Sequence, residues 1–219
     1  MAEALRLAVF DCDGTLVDSQ HGIIACMSAA FAAAGLATPL AEAVRRVVGL
    51  PLAECVGRLV PALDAAECFR VAELYKQAFT DLRIHGPLAE PLFPGMRELL
   101  DALEADGIVL GVATGKGRRG LNITLDQHGL LGRFVTLQTV DDAPGKPHPE
   151  MLRRAMAEAG AAPATTAMIG DTTYDILMAR NAGTAAVGVA WGYHLPAELH
   201  AAGAHAVVEA AHEVRAWLR

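Results

Sequence analysis

From residue 90 onward, short apolar runs alternate with stretches whose apolar residues recur every three or four positions. The runs at 108–113, 134–139, 167–169 and 185–189 predict strands, joined by one at 5–10 and a weaker one at 206–208. The stretches at 96–105, 120–128, 149–159 and 174–182 predict helices, the last ended by Gly183. Strands that alternate with helices imply an α/β fold: a doubly wound, Rossmann-like parallel sheet with helices on both faces. Such sheets take ligands beyond the carboxyl ends of their strands.

Residues 16–86 are patterned differently. AEAVRRVV (41–48), LAECVGRLV (52–60) and a long amphipathic run over 64–82 all carry the helical period, and no convincing strand interrupts them. Apart from His21, the span from 21 to 41 is uncharged. It is too rich in alanine, and too broken by Ser28, Gly35, Thr38 and Pro39, to cross a membrane, and a half-buried helix over 22–34 suits it better. GPLAEPLFPG (86–95), with three prolines and two glycines, reads as the return path to the sheet. The expected organisation is an α/β core of 1–15 and 87–219, with an α-helical cap of 16–86 inserted after the first strand.

Composition narrows the function. Of 219 residues, 53% are hydrophobic and 20% charged, which supports a packed core and argues against disorder. A formal charge of −7 argues against a broad nucleic-acid surface. Lysine occurs only at 76, 116 and 146, so a small anionic ligand needs positive charge concentrated locally. Cys12, Cys26, Cys55 and Cys68 form no CxxC pair and no signal-peptide pattern opens the chain, so a reduced, cytoplasmic setting is expected.

Four short stretches lie where predicted strands end: FDCDGT (10–15), VATGK (112–116), GKPHP (145–149) and MIGDTTYD (168–175). Alternation along an extended segment gives Asp11 and Asp13 one direction and Cys12 the other. Two like charges so close need a cation between them, or one of them neutral. Asp171, at the end of another apolar strand, completes a set of three carboxylates suited to Mg2+. Thr114, the N–H groups at Gly115 and Lys146 supply the opposite character, which favours a phosphate.

Magnitudes tie the two halves together. A carboxylate approaching a phosphate dianion at ~3.5 Å meets roughly 9 kcal/mol of repulsion at an effective dielectric of ~20. A bridging divalent ion plus one lysine is an offset of the right scale. With it, one aspartate can act as nucleophile and the other as acid and base.

DCDGTLVDS, ATGK, GKPHPE and GDTTYD, in this order, resemble the four motifs of the haloacid dehalogenase superfamily of phosphohydrolases, and the chain is similar to its phosphoglycolate phosphatase-like branch with a helical cap. The resemblance implies Asp11 as nucleophile and Mg2+ ligand, and Asp13 as general acid and base, binding the metal through its backbone carbonyl. It implies that Thr114 and Gly115 hold the phosphoryl group, that Lys146 neutralises charge, and that Asp171 binds Mg2+. Asp175 would stand behind the metal or reach it through water. The implied substrate is a small phosphorylated metabolite, with no nucleic-acid or membrane partner, handled by a monomer or homodimer. Cys12 departs from the larger apolar residue usual at its position, which would leave the strand open to oxidation.

Rival chemistries share these residues. A phosphosugar mutase would use the same two aspartates, and an inorganic pyrophosphatase would need only a different cap. A dehalogenase is disfavoured by Asp13, and a phosphonate hydrolase by the lack of an imine-forming context at Lys76. A receiver module phosphorylated on Asp11 is the non-enzymatic alternative, opposed by the cap and the second aspartate. A dinucleotide-binding domain lacks its GxGxxG. Several residues have plain structural readings: a cap for Asp171 or Thr172, a loop for His148, surface positions for His21, Arg118 and Arg119, and packing for Trp191 and Tyr193. VVGLPL (47–52) is the expected substrate-facing turn of the cap, with Arg45 or Arg46 available to a ligand carboxylate. The role of Lys116 is open.

Overall fold

A computed structural model describes residues 6–86 and 89–219. Six parallel strands, β1 (Leu7–Phe10), β2 (Val109–Thr114), β3 (Thr136–Thr139), β4 (Thr166–Gly170), β5 (Ala185–Val189) and β6 (Ala206–Val208), form one sheet in the order β3-β2-β1-β4-β5-β6. Residue 5, where the first strand is expected to begin, and residue 87, the expected domain boundary, lie outside the described residues. β1 is central, with Phe10 registered against Val112 on one side and Ile169 on the other. The strand order reverses direction beside β1, which opens a crevice at its carboxyl end.

The period-2 alternation of β1 separates two cores. Ala8, Phe10 and Cys12 pack with Leu99, Leu100, Leu121 and Val214, residues carried by α5 (Met96–Ala105), α6 (Arg118–Gln127) and α10 (Ala211–Leu218). Leu7 and Val9 face the other way, toward Met151, Leu152 and Ile176 of α7 (Glu150–Ala159) and α8 (Thr173–Ala182). A short α9 (Pro196–Ala201) precedes β6. α9 and α10 were not foreseen, being too short for a clear period.

Four helices, α1 (Gln20–Ala33), α2 (Ala41–Val47), α3 (Leu52–Leu59) and α4 (Ala65–His85), lie between β1 and α5 and share a separate core of Met27, Phe31, Val44, Val56 and Val71. α4 starts at a reciprocal cap: Asp64 accepts from the Glu67 N–H and Glu67 accepts from that of Asp64. The two connections to the sheet run side by side, since Asp18 N–H donates to Pro91 and Phe93 N–H to Leu16. No helix among the described residues is long and apolar enough to cross a membrane.

Candidate active site

Every expected site residue stands at the carboxyl end of a strand. β1 delivers Asp11 and Asp13, β2 Thr114 and Gly115, and the loop after β3 Lys146; β4 delivers Asp171, and the first turn of α8 Asp175. Asp11, Thr114, Lys146, Asp171 and Asp175 are buried almost completely. Lys146 Nζ stands 2.9 Å from Asp11 Oδ1 and 2.5 Å from Asp175 Oδ1. Carboxylate oxygens of Asp11, Asp171 and Asp175 lie within 4.8 Å of one another.

The acidic triangle differs from the one expected. Its third corner is Asp175, not Asp13, whose carboxylate turns instead to Lys116 Nζ and Ser19 Oγ, each at 2.6 Å. The physical reason is charge pairing: among the described residues Lys116 is the one ammonium on that side, and its side chain is only 9% exposed. Asp175 also stiffens the loop before it. Thr172 is the cap of α8, and its N–H and hydroxyl both donate to Asp175 Oδ2, at 3.0 and 2.7 Å.

Asp171 is oriented by Thr15, whose hydroxyl donates to Oδ1 at 2.8 Å, and by the Tyr193 N–H, which donates to Oδ2 at 2.9 Å. Gly14 makes room for that carboxylate. A Cβ at position 14 would lie 2.3 Å from Asp171 Oδ2, and its φ of +85° suits only glycine.

Charge is out of balance here. Burial pushes Asp11 up to about 6, and Asp175 adds to the effect while Lys146 opposes it. Burial raises Asp171 well above the ordinary carboxylate range, again with Asp175 and Asp11 adding to it. Burial works against the Lys146 ammonium, but Asp11 and Asp175 outweigh it and keep it charged. One lysine cannot neutralise three buried carboxylates. Hard oxygen donors at this spacing suit a divalent cation, which Asp11, Asp171 and Asp175 could hold.

The four-helix segment α1–α4 meets the strand ends through the turn at 47–52. A Cβ on Gly115 would lie 2.7 Å from the Gly49 carbonyl oxygen, and one on Gly145 would lie 2.3 Å from Pro51 Cγ. Tyr174 Oη donates to the Arg46 carbonyl at 3.0 Å, and His194 Nε2 lies 3.3 Å from the same oxygen. Each candidate arginine already has a protein partner. Arg46 pairs with Glu198 at 2.5 Å with its side chain 39% exposed, and Arg45 Nε donates to Gln20 at 3.0 Å.

Gly115→Ala should therefore wedge the turn outward. Overpacking of this kind costs ~1–3 kcal/mol of folded-state stability, so the melting temperature should fall by roughly 2–10 °C, and kcat/KM should fall with the displaced turn. An unchanged kcat/KM would show that the turn need not seat during turnover.

Cys12 is fully buried, and burial, then Asp13, pushes its thiol well up. Its sulfur is held protonated and shielded, which removes the expected sensitivity to oxidation. Arg118, expected on the surface, pairs with Asp142 at 2.5 Å, and its backbone N–H donates to Asp141. Glu90 was not anticipated. It is buried behind Lys116, in a proline-rich connection whose sequence carries no functional signal.

Three buried carboxylates and a buried lysine thus meet at one crevice of a parallel sheet, the arrangement of an enzyme that works on a charged substrate. Residues 8–189 match the model of the haloacid dehalogenase-like hydrolase family, and the chain belongs to that family. It is 38% identical over 209 residues to a protein of Dickeya dadantii named probable phosphatase IndB, covering 95% of this chain and 91% of that one. It is 34% identical to a phosphoglycolate phosphatase of Agrobacterium fabrum, covering 85% and 81%. It is 33% identical to the pyrophosphatase PpaX of Bacillus velezensis, covering 84% and 82%. A haloacid dehalogenase-like family hydrolase from Streptococcus pneumoniae superposes with a TM-score of 0.84 at 25% identity, over 98% of this chain and 99% of that one. The protein is a haloacid dehalogenase-like phosphatase, a phosphoric monoester hydrolase.

Proposed function

We propose that the enzyme hydrolyses small phosphate monoesters such as phosphoglycolate, with Mg2+, through an aspartyl-phosphate on Asp11. The observation that carries this is Lys146 placed between Asp11 and Asp175 while Asp171 closes the acidic triangle. In the first step Asp11 Oδ bonds to phosphorus, the bond from phosphorus to the leaving oxygen breaks, and Asp13 gives that oxygen a proton. In the second, water attacks phosphorus, returns a proton to Asp13, and the bond to Asp11 breaks to release orthophosphate. Thr114 and the Gly115 N–H hold the phosphoryl oxygens, and Lys146 offsets their charge. Asp11, Asp171, Asp175 and the Asp13 carbonyl would hold Mg2+, which would supply Lewis-acid neutralisation of the transferring group.

Residues 16–86 act as a cap domain on a core of 1–15 and 87–219, and the close seating of Gly49 on Gly115 favours small substrates. A cytoplasmic monomer or homodimer without a nucleic-acid or membrane partner is the accompanying proposal. Pyrophosphate is the second reading, supported by the likeness to PpaX at nearly the identity of the phosphoglycolate phosphatase.

Phosphate release from a panel tests this: phosphoglycolate, other short phosphorylated acids, a hexose phosphate and pyrophosphate, each with Mg2+ and with a chelator. Small acids should exceed the hexose phosphate by roughly tenfold or more, and only with Mg2+. Equal release across the panel would remove the small-acid preference, a lead for pyrophosphate would favour the second reading, and indifference to chelation would remove the metal.

Linkage gives a second check. With Asp11 raised to about 6, the folded metal-free chain keeps a proton that the unfolded chain has lost between pH ~4 and 6, so stability from this group falls as pH rises through that window. An ion on the carboxylates offsets the loss. The rise in melting temperature on adding Mg2+ should be small at pH 4 and grow to about 5–10 °C by pH 7. A rise that does not change with pH would contradict it.

A further inference from the structure

The two oxygens of Asp13 are not equivalent. Lys116 Nζ and Ser19 Oγ both donate to Oδ1, at 2.6 Å each, and among the described residues no protein donor reaches Oδ2. A carboxyl group whose Oδ1 accepts two donors carries its proton on the other oxygen. Oδ2 is then the atom that can hand a proton to the leaving oxygen.

Lys116 is itself held from behind. Its ammonium meets Glu90 Oε1 at 3.1 Å and stands 5.5 Å from the centre of the Phe79 ring. The Glu90 side chain is 1% exposed, and its second oxygen accepts from Arg83 Nη2 at 2.9 Å and Thr124 Oγ1 at 3.1 Å. Its backbone carbonyl also meets His128 Nε2 at 2.7 Å. Burial works against the Lys116 charge, but Asp13 and Glu90 outweigh it. So deep a carboxylate with three partners is fixed, and it leaves the lysine one place to stand.

We propose that Glu90 is a positioning residue for proton transfer: by pinning Lys116 to Oδ1 of Asp13, it commits Oδ2 to the leaving oxygen of the substrate. This rests on Asp13 being the general acid and base. The proton leaves Oδ2 as the bond from phosphorus to the leaving oxygen breaks and Asp11 bonds to phosphorus, and Asp13 is left a carboxylate until water returns the proton.

Leaving-group dependence tests it, because an aryl oxygen departs without a proton whereas an alkyl oxygen needs one. Glu90→Ala should lower kcat/KM roughly 10- to 100-fold for an alkyl phosphate such as glycerol phosphate. For p-nitrophenyl phosphate the loss should stay under about threefold. Glu90→Gln keeps a carbonyl acceptor for Lys116 and should recover most of the loss. Lys116→Met should show the same bias toward alkyl substrates, and the double variant Glu90→Ala with Lys116→Met should be no worse than Lys116→Met alone. Should Glu90→Ala fail to fold, Glu90→Leu, which fills the buried space without an acceptor for Lys116, carries the same comparison with and without Lys116→Met. Equal losses on both substrates, or additive losses in the double variant, would overturn the assignment of Glu90. Asp13→Asn without a bias toward alkyl substrates would instead overturn the reading of Asp13 itself.

Discussion

Asp11→Asn is expected to abolish turnover, by roughly 10⁴- to 10⁶-fold, and to leave the protein folded. The amide is nearly the same size, and its oxygen can still accept from the Cys12 N–H, which stands 2.7 Å from Asp11 Oδ1. What it lacks is the lone-pair charge that bonds to phosphorus. Lys146 keeps Asp175 as partner, and one of three crowded carboxylates becomes neutral, so the melting temperature in chelator should not fall. Phosphate release and a thermal melt together decide the matter. Activity above about one per cent of wild type would mean that another group attacks phosphorus.

Lys146→Met has the larger expected effect on stability. Methionine fills much of the same buried space but leaves Asp11 and Asp175 without their shared counter-charge. Removing one partner of a buried ion pair costs about 3–5 kcal/mol. For a chain of this length that corresponds to a fall of about 10 °C in melting temperature, measured in chelator. Part of the loss should return with Mg2+, because an ion on the same carboxylates supplies the missing charge. Activity should fall as well, since the transferring phosphoryl group loses its nearest fixed cation. A variant as stable as wild type in chelator would show that the carboxylates were already neutral.

The sheet was legible in the sequence for a mechanical reason. Buried parallel strands are short apolar runs, and β5 matches its expected 185–189 to the residue, as does β6 at 206–208. Boundaries slipped where polar residues continue a strand, as at Thr114 in β2 and Thr166 in β4, since a hydroxyl facing the core reads like a loop. The site was legible because its residues sit at strand ends in compact motifs. Partnerships across the chain were not. Nothing near position 90 announces that Glu90 will meet Lys116, 26 residues away, and Arg83 together. Asp175 could be seen as an acid near the metal, but its contact with Lys146 depends on how α8 leaves β4.

The paired connections Asp18–Pro91 and Leu16–Phe93 bring the insert's beginning and end to adjacent points. To the sheet, everything between them is a hairpin loop on a short stem, whatever its size. Closing such a loop costs only a logarithm of its length. Bundles of other shapes could therefore be grafted onto this stem without displacing Asp11, which lets one chemistry be readdressed to new substrates by exchanging a single segment.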